Sequence, residues 1–520
     1  MQRTAATALP NNIAALKALV RQHEMTIATL SEQLQLMLAR RFGASSERVA
    51  EAQLGLFNEA EAELDTAAEE DIAPAIEVPA HTRKVPKRKP LSKDLPRVEV
   101  IHDLPEDNKL CPHDGTVLVP MGSADSEQLD IIPATVHVLL HKRLKYVCPC
   151  CNKTLLTAPM TPQPIPKSQA SPGLLAYVAT AKYVDGLPLY RQIPQFARLG
   201  LDCSRTTLAR WMIHCGGSLT QPMINLLRDE LLEQDYIQCD ETRTQVLKEP
   251  GEPAHSTSYM WLQRSGNPQR PIVLFDYDSS RSGQVPQRLL DGFHGILQTD
   301  AYSGSNAVVR AQKLIHALCM AHARRYYTDA LKAKGIHPNR MPAKAPKGCE
   351  HIFKALAFFK ALYAIERRIR EMTTDEKTRI GDRETRPILN QFKLWLDRRQ
   401  PKVLPSSKLG QAIAYTLNQW SGLTRFCDDG RIAIDNNGAE NALRPFCLGR
   451  KNWMFSDTVA GARASANLYS LIETAKANGI EPYAYLRHLF TELPKATCVA
   501  DYEALLPYHI DPNVLTRRPS

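Results

Sequence analysis

The sequence predicts a multidomain α/β protein in which one mixed sheet is interrupted by a long all-helical segment. Three observations carry that expectation. The chain has 520 residues, too many for a single hydrophobic core. Between Tyr236 and Cys319, strand-like runs alternate apolar and polar residues and end at Pro- or Gly-bearing turns. From His322 to about Gly430 that alternation stops, and Lys-, Arg- and aromatic-rich helical sequence takes over.

Composition narrows the function classes. A hydrophobic content of 43% is ordinary for a globular chain, so burial is not limiting. The net charge of +10 and the pI near 8.9 favour a polyanionic partner, although surface solubility explains them nearly as well. The twelve cysteines are scattered apart from Cys148, Cys150 and Cys151, which suggests reduced thiols and one metal site rather than a disulfide framework. The N-terminus has no apolar signal region, and no run reaches bilayer length. The expectation is a cytosolic protein with access to nucleic acid and no membrane partner.

In chain order, residues 1–43 read as a zipper helix. Ile13, Leu16, Val20, His23, Ile27, Leu30, Leu34 and Met37 step by three and four, the a/d spacing of a coiled coil. A helix packing on its own domain is the plainer reading; self-association or a partner helix is the sharper one. Residues 44–97 turn acidic and then basic. Arg83, Lys84, Lys87, Arg88, Lys89 and Lys93 lie among prolines, as in a solvated linker or an arm that touches phosphates. Residues 98–160 read as a zinc-ribbon-like module. Cys111 with Asp114, and Cys148 with Cys151, bracket the alternating stretch VHVLLHKRLKY. Asp114 stands where a second cysteine is expected. Zinc accepts carboxylate oxygen, so Cys111, Asp114, Cys148 and Cys151 make a four-ligand set for a structural Zn2+; the alternative is a ribbon that folds without metal.

Residues 170–230 read as helix-turn-helix-like: a short helix, a turn at Gly200, then Ser204 as N-cap of a helix from Arg205 to Cys215. Arg205, Thr206, Thr207 and Arg210 would then be exposed for phosphates or base edges, unless the pair is only a packing unit. Residues 234–327 contain YIQCDETRTQVL, STSYMWLQRS and PIVLFDYDSS as three antiparallel strands. A helical stretch around Gln284 to Gly292 follows, then GILQTDAY and KLIHALC. That is the order of a ribonuclease H-like core, in which the first and fourth strands are neighbours and bring Asp240 beside Asp300. Glu241 would face away from Asp240, and Asp276 and Asp278 lie toward the exit of the third strand. Residues 328–430 are the helical insertion, residues 431–465 the second part of the core, and residues 466–520 a C-terminal helical region broken near Gly479 and Pro482.

In the second part of the core, Asn437, Glu440 and Arg444 share a helical face, with Arg450, Lys451 and Trp453 downstream. Asn437 to Glu440 also fits a capping box. Three separated carboxylates, Asp240, Asp300 and Glu440, can hold two Mg2+ or Mn2+ ions for phosphoryl transfer, with Asp240 bridging. Arg325, Arg444, Arg450 and Lys451 are candidate DNA contacts beside Arg205, Thr206 and Arg210. His316, Cys319 and His322 suggest a second metal set. However, His316 and Cys319 would point to opposite faces of a strand, which favours a structural or DNA-facing role for His322 and Arg325.

The motifs RRFGASSERV, KRKPLSKDLPR, EQLDIIPA, AHARRYY, DNNGAENALRP, GRKNWMF and ETAKANGIEPYAYL, in that order, resemble bacterial transposases of the insertion sequence sixty-six family. The resemblance covers most of the chain and departs at Asp114. It implies a DDE triad at Asp240, Asp300 and Glu440, DNA element ends and target DNA as partners, and companion proteins of the same mobile element. It places the protein in the bacterial cytoplasm, nucleoid-associated. Pairing two DNA ends implies a homo-oligomer. Two rivals remain: a structure-specific nuclease on the same fold, which cuts without joining, and a DNA-binding regulatory protein with an inactive core.

Overall fold

The computed structural model describes residues 12–42, 136–147, 155–511 and 514–515. The chain divides into two compact units. One spans residues 72–140, of which 136–140 are described and form neither helix nor strand; the other contains the remainder. The linker and the four expected zinc ligands Cys111, Asp114, Cys148 and Cys151 lie outside the described residues.

The N-terminal helix α1 (Ile13–Phe42) covers the heptad stretch. Ile13, Val20, Ile27, Leu30, Leu34 and Met37 are all more than half exposed among the described residues, so these six side chains are largely left in water there. Of the alternating stretch before Cys148, only Lys145–Val147 (β1) forms a strand, paired antiparallel with Leu155–Thr157 (β2). The expected sheet is thus limited to this hairpin among the described residues.

Four helices follow: α2 (Pro172–Tyr183), α3 (Leu189–Arg198), α4 (Arg205–His214) and α5 (Gln221–Leu232). Ser204 caps α4 as expected, its Oγ accepting from the Thr207 N–H at 3.1 Å. The turn before it is at Gly200, whose φ of +80° only glycine adopts readily. These helices bury Leu175, Leu208, Met212 and Leu227 in the same core as the sheet residues Ile237, Leu262 and Leu274. The helix-turn-helix-like stretch is therefore built into the central body.

The central sheet contains β3 (Tyr236–Thr244), β5 (Ser258–Ser265), β6 (Val273–Asp278), β7 (Ile296–Thr299) and β8 (Ile315–Leu318), in the order β6-β5-β3-β7-β8; the short β4 (Val246–Lys248) lies outside it. The first three strands pair antiparallel, while β3–β7 and β7–β8 are parallel. Helix α6 (Gln284–Leu289) lies on the crossover to β7, and α7 (Asn306–Gln312) connects β7 to β8.

After β8 come α8 (Met320–Lys332), α9 (Glu350–Ile369), α10 (Thr374–Ile380), α11 (Arg386–Arg399), α12 (Lys408–Asn418) and the single turn α13 (Trp420–Leu423). Their core is distinct, built on Tyr327, Phe359, Phe392, Leu396 and Ile413, and it also takes in Leu318 and Ile296 at the sheet. The chain returns through α14 (Asn437–Trp453) and β9 (Ser456–Thr458), which pairs parallel with β4. It ends with α15 (Val459–Ala477), α16 (Pro482–Glu492) and α17 (Val499–Glu503). Two expected boundaries fall inside helices. The one at 327/328 cuts α8, and the one at 465/466 cuts α15, because each helix carries buried residues on both sides of the cut.

Helix α15 closes the free edge of the sheet. The Thr474 hydroxyl accepts from Val273 N–H (3.0 Å) and donates to Val273 C=O (2.9 Å). The Ser470 hydroxyl accepts from Phe275 N–H at 2.8 Å, and Asn478 Nδ2 donates to Pro271 C=O at 2.9 Å. Side chains four apart on a helix recur every ~6 Å, close to the two-residue repeat of a strand. One helix face thus satisfies an edge that would otherwise be open to another chain.

Candidate active site

The site is assembled where β3, β7, α8 and α14 meet. Continuing the parallel register Tyr236↔Ile296 and Gln238↔Gln298 by two residues places Asp300, just past the end of β7, level with Asp240. Each strand carries Gln-x-Asp, so by strand alternation each glutamine lies on the same face as its aspartate. The glutamines build a buried floor. Gln238 Nε2 donates to Gln298 Oε1 (2.7 Å) and to Asp435 C=O (3.4 Å). Gln298 Nε2 donates to Ala433 C=O (2.8 Å), the Tyr236 hydroxyl donates to Gln298 Oε1, and Arg264 Nη1 donates to Gln238 Oε1 (2.9 Å). This network holds the turn that leads into α14.

That turn is fixed further by Asp435, which accepts from the Asn437 N–H (3.1 Å), from Asn437 Nδ2 (2.9 Å) and from the Tyr363 hydroxyl of α9 (2.9 Å). Asn436 Nδ2 reaches Cys239 C=O at 3.0 Å, pinning the helix start to β3. The expected capping box is not formed. Asn436, not Asn437, precedes the first turn and makes no side-chain cap; Asp435 takes the Asn437 N–H that Glu440 was expected to reach, which leaves Glu440 free of the cap. Gly438 leaves room for the floor: a Cβ there would sit 2.3 Å from Gln238 Oε1 and 2.6 Å from Arg264 Nη1, so those side chains would have to shift. Further along α14, Arg450 Nη1 donates to Thr242 Oγ1 at 3.3 Å.

Glu440 is 3% exposed, while Asp240 and Asp300 are half-buried. Burial pushes the Asp240 carboxyl well above the usual range, and Glu440, Glu241 and Asp300 push it further. Burial raises Glu440 to about 7; Arg325, 3.8 Å from Oε2, opposes this, while Asp435 and Asp300 add to it. Asp240 Oδ1 accepts from the Glu241 N–H (2.8 Å), and Asp300 Oδ1 from the Tyr302 N–H (2.9 Å). The second of these bonds is set by Ala301 at a φ of +71°, a conformation that costs a non-glycine residue roughly 1–3 kcal/mol.

The donor set suits a divalent cation. Carboxylates from other elements raise the proton affinity of Asp240 and of Glu440, and Glu440 Oε1 is buried without a hydrogen-bond partner. A cation there would relieve both costs.

The remaining expected residues are distributed as follows. Glu241 pairs with Arg281. Asp276 pairs with Arg228 and Arg288, and Asp278 with Arg288, as structural ion pairs. Arg205, Thr206 and Arg210 are exposed on α4, whereas Thr207 is half-buried and bonded to Ser204. Arg444 is half-buried and Lys451 exposed on α14, and Arg325 is exposed on α8. His316 stands apart, its Nε2 bonded to Thr299 Oγ1 at 2.9 Å. His322 does not stand apart: its Nδ1 faces Glu440 Oε1 at 3.5 Å. The repeated Gln-x-Asp marks the floor residues Gln238 and Gln298 in the sequence. No such signal marks Tyr363.

A mixed α/β body with a buried carboxylate centre beside exposed cationic side chains suits a DNA-processing protein, and the comparisons supply the family. The model described as "Transposase IS66 family" matches residues 167–464, and "IS66 C-terminal element" matches 470–508. "Transposase C of IS166 homeodomain" matches 29–100, and "zinc-finger binding domain of transposase IS66" matches 108–152. The chain belongs to the IS66 family of transposases. Among its relatives in Sinorhizobium fredii (strain NBRC 101917 / NGR234), the uncharacterized protein y4jD is 31% identical over 431 residues, 81% of either chain. The uncharacterized protein y4qI is 29% identical over 525 residues, 97% of this chain and 93% of the relative. No described helix is long and apolar enough to cross a membrane.

Proposed function

We propose that this transposase is a DDE polynucleotidyl transferase on a ribonuclease H-like core, binding the ends of its element, cleaving there and joining them to target DNA. The observation that carries this reading is the meeting of Asp240, Asp300 and Glu440 on adjacent parallel strands and one helix start, with a Glu440 oxygen left without a hydrogen bond. Asp240, whose carboxyl feels both Glu440 and Asp300, would hold Mg2+ or Mn2+ ions together with those two carboxylates. When bound, such ions activate water or a 3′-hydroxyl and stabilise the attacking and leaving oxygens of in-line displacement. The floor of Gln238, Gln298 and Arg264 holds the carboxylates in register through both steps, a positioning role.

Arg325, 3.8 Å from Glu440 Oε2, and Arg444, Arg450 and Lys451 further along α14 would take backbone phosphates, while Arg205, Thr206 and Arg210 on α4 would take DNA elsewhere. The exposed stripe of α1 supports pairing of two copies, as two element ends require. A structural Zn2+ on Cys111, Asp114, Cys148 and Cys151, and companion proteins of the same element, complete the proposal.

The test is strand transfer by purified protein with Mg2+ and labelled element-end DNA, beside Asp300→Asn and Glu440→Gln. Joined products should appear and fall at least about a thousandfold in either variant, while DNA binding stays within a few-fold. Cleavage without joining would point to the nuclease instead. Full strand transfer by Glu440→Gln would remove the triad.

A further inference from the structure

We propose that Cys319, His322 and Glu440 form a site for a transition-metal ion of the Zn2+ class, distinct in donor chemistry from the all-carboxylate set. The cysteine precedes the first turn of α8, the histidine lies three residues on, and the glutamate comes from α14. Cys319 Sγ, one His322 ring nitrogen and one Glu440 carboxylate oxygen all lie within 4.8 Å of one another. Cys319 is 1% exposed and Glu440 3%, so the space between them is closed on two sides by the fold.

Two of these atoms lack what burial demands. His322 Nδ1 and Glu440 Oε1 are both buried without a hydrogen-bond partner, yet they face each other at 3.5 Å. That is too long for a good hydrogen bond between them. It is close to the separation of about 3.3 Å expected for two ligands on one tetrahedral ion with bonds of about 2.0–2.1 Å. An ion seated there would satisfy both atoms, whose desolvation otherwise opposes folding. The third donor is already oriented, since the Asn436 N–H donates to Cys319 Sγ at 3.2 Å, the kind of outer bond that aims a ligand.

The donor set also selects the ion. Thiolate and imidazole favour Zn2+, Co2+ and their neighbours, whereas Mg2+ prefers oxygen alone. One Glu440 oxygen would therefore serve a softer ion than the one Asp240 and Asp300 would hold. For its effect on catalysis the proposal rests on Glu440 belonging to the triad; for the existence of the site it does not. A Zn2+ ion held by Cys319 and His322 would draw Glu440 out of the catalytic set, so micromolar Zn2+ should inhibit Mg2+-dependent joining.

The experiment is a Co2+ titration of the full chain followed by absorption, on a Cys148→Ser/Cys151→Ser background that removes the other cysteine-rich candidate. We expect one equivalent of tetrahedral Co2+ with a thiolate-to-metal charge-transfer band. Cys319→Ser should abolish that band. His322→Gln, at a partly exposed position that tolerates the change, should weaken Co2+ binding by more than about tenfold. Asp240→Asn should leave the band in place while abolishing joining, so a failed transposase reading and a failed metal site give different results. The proposal is overturned if no charge-transfer band appears, if the band survives in Cys319→Ser, or if His322→Gln leaves Co2+ affinity unchanged.

Discussion

At the scale of single residues, the chemistry beneath the acidic centre is set by groups whose burial is only partly compensated. Glu366 on α9 is a case outside the carboxylate cluster. Burial pushes its carboxyl up to about 7, with Lys377 opposing and Asp435 adding to the rise. A carboxyl whose folded pKa is raised contributes fully below its unfolded value near 4.5, and that contribution is lost as pH climbs through about 7. Stability should therefore fall by roughly 2–3 kcal/mol between pH 4.5 and pH 8 on account of this group. Glu366→Gln should raise the melting temperature at pH 8 and leave it nearly unchanged at pH 5. Thermal unfolding followed by circular dichroism at the two pH values checks this; an equal gap at both would show that Glu366 is not the titrating group. No sequence pattern marked Glu366, because its environment is made by Asp435, 69 positions away in the chain and brought near only by the fold.

At the scale of elements, what was legible followed local chemistry. Strand alternation from Tyr236 onward, the Ser204 cap and the Gly200 turn specify their own stretches, and those elements formed where they were expected, whereas the alternating stretch before Cys148 gave only the short β1. The pairing of β3 with β7 was legible too, because few orders of antiparallel strands, crossover and further strand are allowed. The capping-box reading was overridden by tertiary structure: Asp435 is anchored by Tyr363 from the insertion and takes the Asn437 amide that Glu440 was expected to cover. Helix α15 was legible as a helix but not as the closure of the sheet. Its Ser470 and Thr474 read as ordinary helix residues until β6 is laid beside them. Replacing them tests that role. Thr474→Val keeps the shape and leaves the Val273 N–H and C=O buried without the hydroxyl, which should cost about 1–3 kcal/mol. Ser470→Ala should cost a similar amount at Phe275. The pair should be less than additive if one substitution already lets the edge loosen, as urea midpoints of the two single variants and the double variant would show. A neutral double variant would mean that water replaces the hydroxyls and that packing alone holds α15.

At the scale of the whole molecule, two cores share the sheet. One gathers the α4 region, the sheet and the C-terminal helices; the other gathers the insertion around Tyr327, Phe359 and Phe392 and reaches the sheet through Ile296 and Leu318. The carboxylate centre lies on the line between them, with Asp240 on β3, Glu440 on α14, and Tyr363 of the insertion holding the turn before it. Both cores must therefore be in place for the site to form, the insertion contributing Tyr363 rather than a carboxylate. The zipper lies outside this argument, since six apolar residues of α1 remain more than half exposed. Leaving such a stripe in water is unfavourable by ~25 cal/mol per Å2 of apolar surface, so a facing helix is the expected remedy. Ile27→Asp with Leu34→Asp places charge at two positions of the seam without touching either core. Light scattering should show the wild-type chain as a dimer or larger, and the double variant as a monomer with unchanged far-ultraviolet circular dichroism apart from α1. Single-end DNA binding should survive, while concerted joining of two ends should fall by at least tenfold, because two ends would no longer be held by one assembly. If the double variant stays oligomeric, the interface lies elsewhere on the molecule. If it is monomeric and still joins two ends at the wild-type rate, the zipper serves a partner other than a second copy of this chain.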